Sequence, residues 1–317
     1  ATSDPRVQVE VNAWDSDETL LGVANGVIDL RTGELLKGRP DLFITRRAPV
    51  AYTPGMRNVK WEQFLDFATG GDKELQDWLQ RAAGYSLTGL RTYDVMFLVD
   101  ELPESERLKE NSVKKLTGSS EISARSPGEK PFTFSSRAKL WVTTNHRPII
   151  NDDAMWRRIR PVPLTNVPEN PDPDLKHYIF DPEGALPAVL SWAVEGAIKL
   201  LGSSARDALG TCKVVTEASE IYRKNEDRIG IFLNEETKES EGTVVPIKAL
   251  YSVYRAWSEE RGERPMTQIA FQRKISDRGM TVVGLGSKAE IQGRVLLPRA
   301  VQTGEVDWGL ASRYSRG

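Results

Sequence analysis

A chain of 317 residues with 39% hydrophobic content can bury more than one core, so two or three domains are expected. A formal net charge of −2 does not mark a protein that coats nucleic acid, and a single cysteine, Cys212, excludes an internal disulfide and fits a reducing cytoplasm. Two histidines, His146 and His177, argue against a zinc site or a histidine-based triad, and the sequence shows neither a bilayer-length apolar run nor a signal-peptide core, which predicts a soluble, non-exported protein.

Residues 1–19 read as a disordered lead. Residues 20–54 have the composition of short strands, with Asn25-Gly26 as a tight turn between two apolar runs. Residues 61–83 read as helices, with Trp61, Phe64, Leu65 and Ala68 on one face and Leu75, Trp78, Leu79 and Ala82 on another. Together residues 20–91 form the expected N-terminal strand and helix domain.

Residues 92–205 carry the chemistry. The run Met96-Phe97-Leu98-Val99-Asp100-Glu101 is a buried strand ending in two carboxylates, and ligands of open parallel sheets bind at such strand ends. One carboxylate, Asp100, could hold Mg²⁺ through water, and Glu101 could polarise a water attacking a γ-phosphate. For the pair taken alone, a strand running out into a polar turn is the plainer account. A second strand at residues 139–144 delivers Asn145, whose amide can bond a phosphate oxygen without adding negative charge.

Between these strands, residues 122–125 and 132–134 have strand composition and flank the turn-rich Ser126-Pro127-Gly128-Glu129-Lys130, which predicts a hairpin. Basic residues concentrate here, at Lys114, Lys115, Arg125, Lys130, Arg137 and Lys139. Downstream, Arg157, Arg158 and Arg160 flank Trp156 in a cluster suited to clamping phosphate. Pairing with Asp152 or Asp153 is the plainer account of at least one of them.

After the Pro-rich residues 161–173, helices are expected at 186–201 and 214–236, and the polar, turn-like 238–242 is a plausible boundary closing a connecting segment, 206–241. The last domain, 242–317, looks like a winged helix. Its helix at 247–261 puts Leu250, Tyr251, Tyr254 and Trp257 on one face, a second helix starts near Thr267, and 280–283 is expected to pair with 294–297 as the wing. Gln268, Gln272, Arg273 and Lys274 could then reach bases or phosphates of duplex DNA, although a structural or protein-binding winged helix fits as well.

The order and spacing of several motifs give a more specific reading. Gly22-Val23-Ala24-Asn25-Gly26-Val27-Ile28-Asp29-Leu30, Gly84-Tyr85-Ser86-Leu87-Thr88-Gly89, Val113-Lys114-Lys115-Leu116-Thr117-Gly118, Thr144-Asn145-His146-Arg147-Pro148 and Trp156-Arg157-Arg158-Ile159 together resemble the phage and plasmid primase-helicase family, within the superfamily 3 helicases. The resemblance runs from about Leu21 to about Gly279.

It implies an α/β, P-loop (AAA+-like) motor core with an N-terminal helical collar and a C-terminal winged-helix domain. It implies Walker B carboxylates at Asp100 and Glu101, a polar sensor at Asn145, and an arginine finger at Arg158 with Arg157 as second candidate. ATP and Mg²⁺ are the implied cofactors, and a hexameric ring translocating on single-stranded DNA in a bacterial cytoplasm is the implied machine, with origin duplex DNA as a further partner. Residues 114–134 would touch DNA in the central channel, with Lys114, Lys115, Arg125 and Lys130 as phosphate contacts; an ordinary solvated hairpin tip is the alternative. Carboxylates, amide and guanidinium are expected to meet at one sheet edge around a triphosphate shared between subunits.

One departure is severe: no G-x-x-x-x-G-K-[ST] occurs, and Thr92-Tyr93-Asp94-Val95-Met96-Phe97 runs straight into Leu98-Val99-Asp100-Glu101. Either the natural polypeptide contains residues absent from this sequence, or this is a remnant that lost its motor chemistry. In the second case it is a non-catalytic DNA-binding or assembly protein. As written, the chain is expected not to hydrolyse ATP.

Overall fold

The computed structural model describes residues 13–99, 110–118, 121–125, 128, 131–143, 150, 153–225, 227–262, 264–284 and 288–297. The chain divides into two units, Ala1–Tyr222 and Arg223–Gly317.

The first unit opens with an antiparallel meander of β1 (Leu20–Val23), β2 (Gly26–Asp29) and β3 (Glu34–Leu36), turning at Asn25-Gly26 as expected. Helix α1 (Val59–Ala68) is capped by Asn58, whose side chain accepts from the Trp61 amide, and α2 (Lys73–Leu87) by Asp72, which accepts from Leu75. The Gly70-Gly71 pair separates the two, both residues with positive φ.

Strand β4 (Met96–Val99) follows, then α3 (Glu110–Thr117), β5 (Glu121–Ala124), β6 (Phe132–Ser135), β7 (Leu140–Thr143), α4 (Asp153–Trp156) and β8 (Ile159–Val162). The unit closes with α5 (Leu175–Phe180), α6 (Leu186–Gly202) and α7 (Lys213–Asn225), whose last residues lie past the division.

Among the described residues the sheet is three-stranded and parallel, in the order β7-β4-β8. β4 is buried on both faces. Phe97 packs with Trp78, Leu75 and Leu200 on one side, and Met96 and Leu98 with Val113, Ile150, Met155 and Tyr222 on the other. Such two-sided burial is why the run is apolar without alternation. Among the described residues β8 is bonded to β4 alone, and Pro161 in this edge position is tolerated.

Helices α2 and α6 cross with their backbones in contact. A Cβ at Gly84 would overlap the backbone of Gly196 and Ala197, and one at Gly196 would overlap the Gln80 carbonyl. Gln80 Nε2 donates to the Trp192 carbonyl at 3.0 Å, and Lys199 Nζ to Asp77 and Gln80 at 2.6 and 2.7 Å. Gly84-Tyr85-Ser86-Leu87-Thr88-Gly89 is therefore a structural motif: its first glycine permits the crossing, and its last turn caps α2. Thr88 Oγ1 donates to the Tyr85 carbonyl, and Ser86 Oγ accepts from Trp141 Nε1 at 2.9 Å, tying the helix end to β7.

In the second unit α8 (Arg228–Glu236), β9 (Thr237–Pro246), α9 (Ile247–Glu260), α10 (Gln268–Asp277), β10 (Val282–Val283) and β11 (Glu290–Leu296) surround a core in which Phe232, Tyr254, Trp257 and Phe271 pack ring against ring. The sheet order is β10-β11-β9, antiparallel.

Three expectations are corrected here. The helix foreseen over 214–236 is two helices, because Asp227 caps a new one by accepting from the Gly230 amide. The polar stretch 238–242 lies inside β9, where Ser240 to Thr243 bulge against Gly293 as the register passes from Glu239↔Arg294 to Val244↔Gln292. The partner of Val282-Val283 is Glu290-Ile291, while Arg294 to Leu296 pair with Thr237 to Glu239.

Candidate functional site

β4 and β7 run parallel and in register, Val99 opposite Thr143, so both strands point to the same end of the sheet. The residues named for chemistry there, Asp100, Glu101 and Asn145, lie outside the described residues, as does Lys130. Among the described residues no group of three or more metal-ligating side chains occurs.

Arg158 is described, and it is at the other end. Its carbonyl accepts from the Met96 amide at 2.8 Å, so it immediately precedes the paired start of β8 and β4, about 10 Å of strand from Val99. Its guanidinium pairs with Asp94 at 2.7 Å and donates to the Ala154 carbonyl at 2.9 Å, leaving the side chain 18% exposed. Within the chain, therefore, this guanidinium is engaged at the end of the sheet opposite Val99 and Thr143. Arg157 is exposed, and Arg160 donates to the Arg157 and Ile159 carbonyls.

The basic stretch also divides. Arg137 donates to the Asp15 carbonyl at 2.6 Å and faces Glu18, while Lys139 Nζ donates to the carbonyls of Thr88 (2.7 Å) and Arg137 (3.1 Å) and lies over the Tyr85 ring. With Arg46, which donates to the Leu87 carbonyl, Lys139 satisfies the C-terminal carbonyls of α2. Burial, reinforced by the Arg46 charge, lowers the Lys139 pKa to about 8. These two cations hold the fold and leave the surface set that sequence suggested.

Lys114 and Lys115 occupy the last turn of α3, Lys115 exposed, and Arg125 is exposed where β5 ends. β5 and β6 form the expected antiparallel hairpin, with Ile122 opposite Phe134 and Ala124 opposite Phe132. Sequence reasoning passed over these two phenylalanines, which are 43% and 52% exposed; their i, i+2 spacing in a predicted strand was the available signal. In the second unit Arg273 is exposed and Lys274 half-buried on α10, which Thr267 caps by accepting from Ala270.

Comparison with known proteins points the same way at both ends of the chain. A family model described as D5 N terminal like matches residues 1–70, and one described as Poxvirus D5 protein-like matches residues 224–278. The candidate primase C962R of African swine fever virus, in isolates from Kenya and from Malawi, is 26% identical over 176 residues, covering 50% of this chain. The match spans 18% of the length of C962R. Among solved structures, the A-form apo structure of the NrS-1 C-terminal region aligns over 77% of each chain with a TM-score of 0.38 and 12% identity. The sequence is thus similar to D5-like family models at two places and to a viral candidate primase over part of its length, and no helix among the described residues is long and apolar enough to cross a membrane.

Proposed function

We propose that this chain is a DNA-engaging replication protein built on the plan of the phage and mobile-element helicases, which act as ATP-dependent rings on single-stranded DNA. The observation that carries the reading is the parallel, in-register pairing of β4 and β7, with Val99 opposite Thr143, which in sequence directly precede Asp100-Glu101 in one case and Thr144-Asn145 in the other. The D5-like matches at both ends are consistent with it.

The residues present do not fit a bound triphosphate, because the sequence supplies no glycine-rich loop and lysine around its β- and γ-phosphates. Mg²⁺ near Asp100 would take its remaining ligands largely from that nucleotide and water. No hydrolytic step follows for this sequence. It is expected to bind single-stranded DNA without turning over ATP; DNA-stimulated turnover, lost in Glu101→Gln, would overturn that. Because Asp94 holds Arg158, the guanidinium open to a neighbouring subunit is that of Arg157.

The missing loop favours a second reading, a non-catalytic DNA-binding or assembly protein. In either, the second unit is read as a winged helix from its helix-strand-helix-helix-strand-strand order, with α10 entering a groove of duplex DNA through Gln268, Gln272, Arg273 and Lys274. Arg273→Glu with Lys274→Glu is then expected to weaken duplex binding, and unchanged affinity at moderate salt would remove this role.

A further inference from the structure

Helix α1 carries six apolar side chains in ten residues, and none of them is buried. Lys60, Phe64 and Phe67 recur at i, i+4 and i+7, so they share one face. Residues 166–180 bound that face at both ends. Asn166 Nδ2 donates to the Phe67 carbonyl at 2.7 Å, while Asn58 donates to the Tyr178 hydroxyl at 2.8 Å and the Lys60 ammonium lies over the Tyr178 ring. Beside these contacts in the chain stand Val167, 85% exposed, and Phe180, which ends α5 and is 64% exposed. Of the thirteen large apolar side chains exposed among the described residues, five fall on α1 and residues 166–180, so they make a patch rather than a scatter.

The rim of this patch is acidic. Glu62, Glu169, Asp172, Asp174, Asp181 and Glu183 are all exposed, and none has an ion pair among the described residues; only Lys60 and Lys176 stand against them. Such a rim repels nucleic acid and anionic lipid surfaces. It also disfavours a second copy of this chain, because an isologous contact sets the same carboxylates against each other. An apolar strip bordered by unpaired carboxylates matches a helix with apolar residues along one side and lysines or arginines next to them, laid along α1.

We propose that the flank made by α1 and residues 166–180 docks a cationic amphipathic helix of a partner protein. The partner's apolar stripe covers Phe64, Phe67, Val167 and Phe180, and its basic residues meet the carboxylates at the rim. The proposal stands apart from the DNA-binding reading, since it uses none of the cations assigned to DNA.

The test is fluorescence anisotropy of the full chain with a fluorescein-labelled amphipathic helix of leucine and lysine, about 18 residues long. This Leu/Lys helix binds, and both its Leu/Glu counterpart and a Leu/Lys peptide of scrambled order bind about tenfold or more weakly. Phe64→Ser with Phe67→Ser, and separately Val167→Ser, each weaken binding about tenfold. Val167 is so exposed that its variant has little fold to lose, which separates lost docking from a melted helix. Glu169→Lys with Asp174→Lys weakens binding most at low salt. Phe132→Ser with Phe134→Ser, a similarly exposed pair on the β5–β6 hairpin, leaves affinity unchanged.

A wild-type chain that ignores the Leu/Lys helix overturns the proposal, as does wild-type affinity in the Phe64 and Phe67 double variant and the Val167 variant. Equal binding of the Leu/Glu helix, or an equal loss in the hairpin variant, also overturns it. Sedimentation showing a self-associated wild-type chain, dissociated by Phe64→Ser with Phe67→Ser and indifferent to the Leu/Lys helix, overturns it in favour of a second copy on the same flank.

Discussion

β4 and the β5–β6 hairpin use similar apolar side chains to opposite ends. Phe97 in β4 is fully buried between Trp78 and the stacked ring of Trp141, while Phe134 in β6 keeps nearly half its surface in water. The difference lies in what each strand pairs with: β4 has a strand on either side and helices over both faces, and β6, among the described residues, has one partner strand and joins no buried cluster. Apolar surface removed from water stabilises the fold, and apolar surface left in water is available for binding.

That contrast is breakable. Phe97→Ala is expected to cost about 3–5 kcal/mol in denaturant unfolding, because the sheet cannot close over the lost ring; a small loss would mean that β4 is not a two-sided core strand. Gly196→Ala follows at about 3 kcal/mol, since the added methyl meets the Gln80 carbonyl rather than a movable side chain, and an unchanged midpoint would show that α2 and α6 stand further apart.

A smaller effect comes from Lys139. Its folded pKa of about 8 lies below the ordinary lysine value, so between that pH and about 10.5 the unfolded chain binds the additional proton. Stability should therefore rise with pH across this window, relative to Lys139→Met, and be lost again as pH falls through 8. A flat difference in melting temperature between the two proteins would show the amine to be hydrated. Smallest of all, Phe134→Ala should change stability by only about 0.5 kcal/mol in denaturant unfolding.

Much of the helical framework was legible from periodicity: α6 begins where its apolar repeat begins, α9 places Leu250, Tyr254 and Trp257 in the core, and α10 starts after the Thr267 cap. Local chemistry decides those elements. Pairing does not reveal itself that way. The register of β11 against β9 depends on Gly293 and a bulge in the opposite strand, and the ion pair that engages Arg158 comes from Asp94, 64 residues earlier. Lys139 reads as a surface cation until the end of α2 is set beside it. Of the site foreseen at the strand ends, the parallel register of β4 and β7 is on view, while Asp100, Glu101 and Asn145 lie outside the described residues.

Where α2 meets α6 at Gly84 and Gly196, no side chain cushions the two backbones. Packed helices ordinarily accommodate motion by small sliding across such a cushion, each rotamer yielding a little. At Gly84 and Gly196 main chain rests on main chain, and a shift of one helix along the other would drive carbonyls into amides. The pair is consequently a rigid strut, and any movement transmitted through this half of the molecule must bend at its connections, such as the Gly70-Gly71 link ahead of α2.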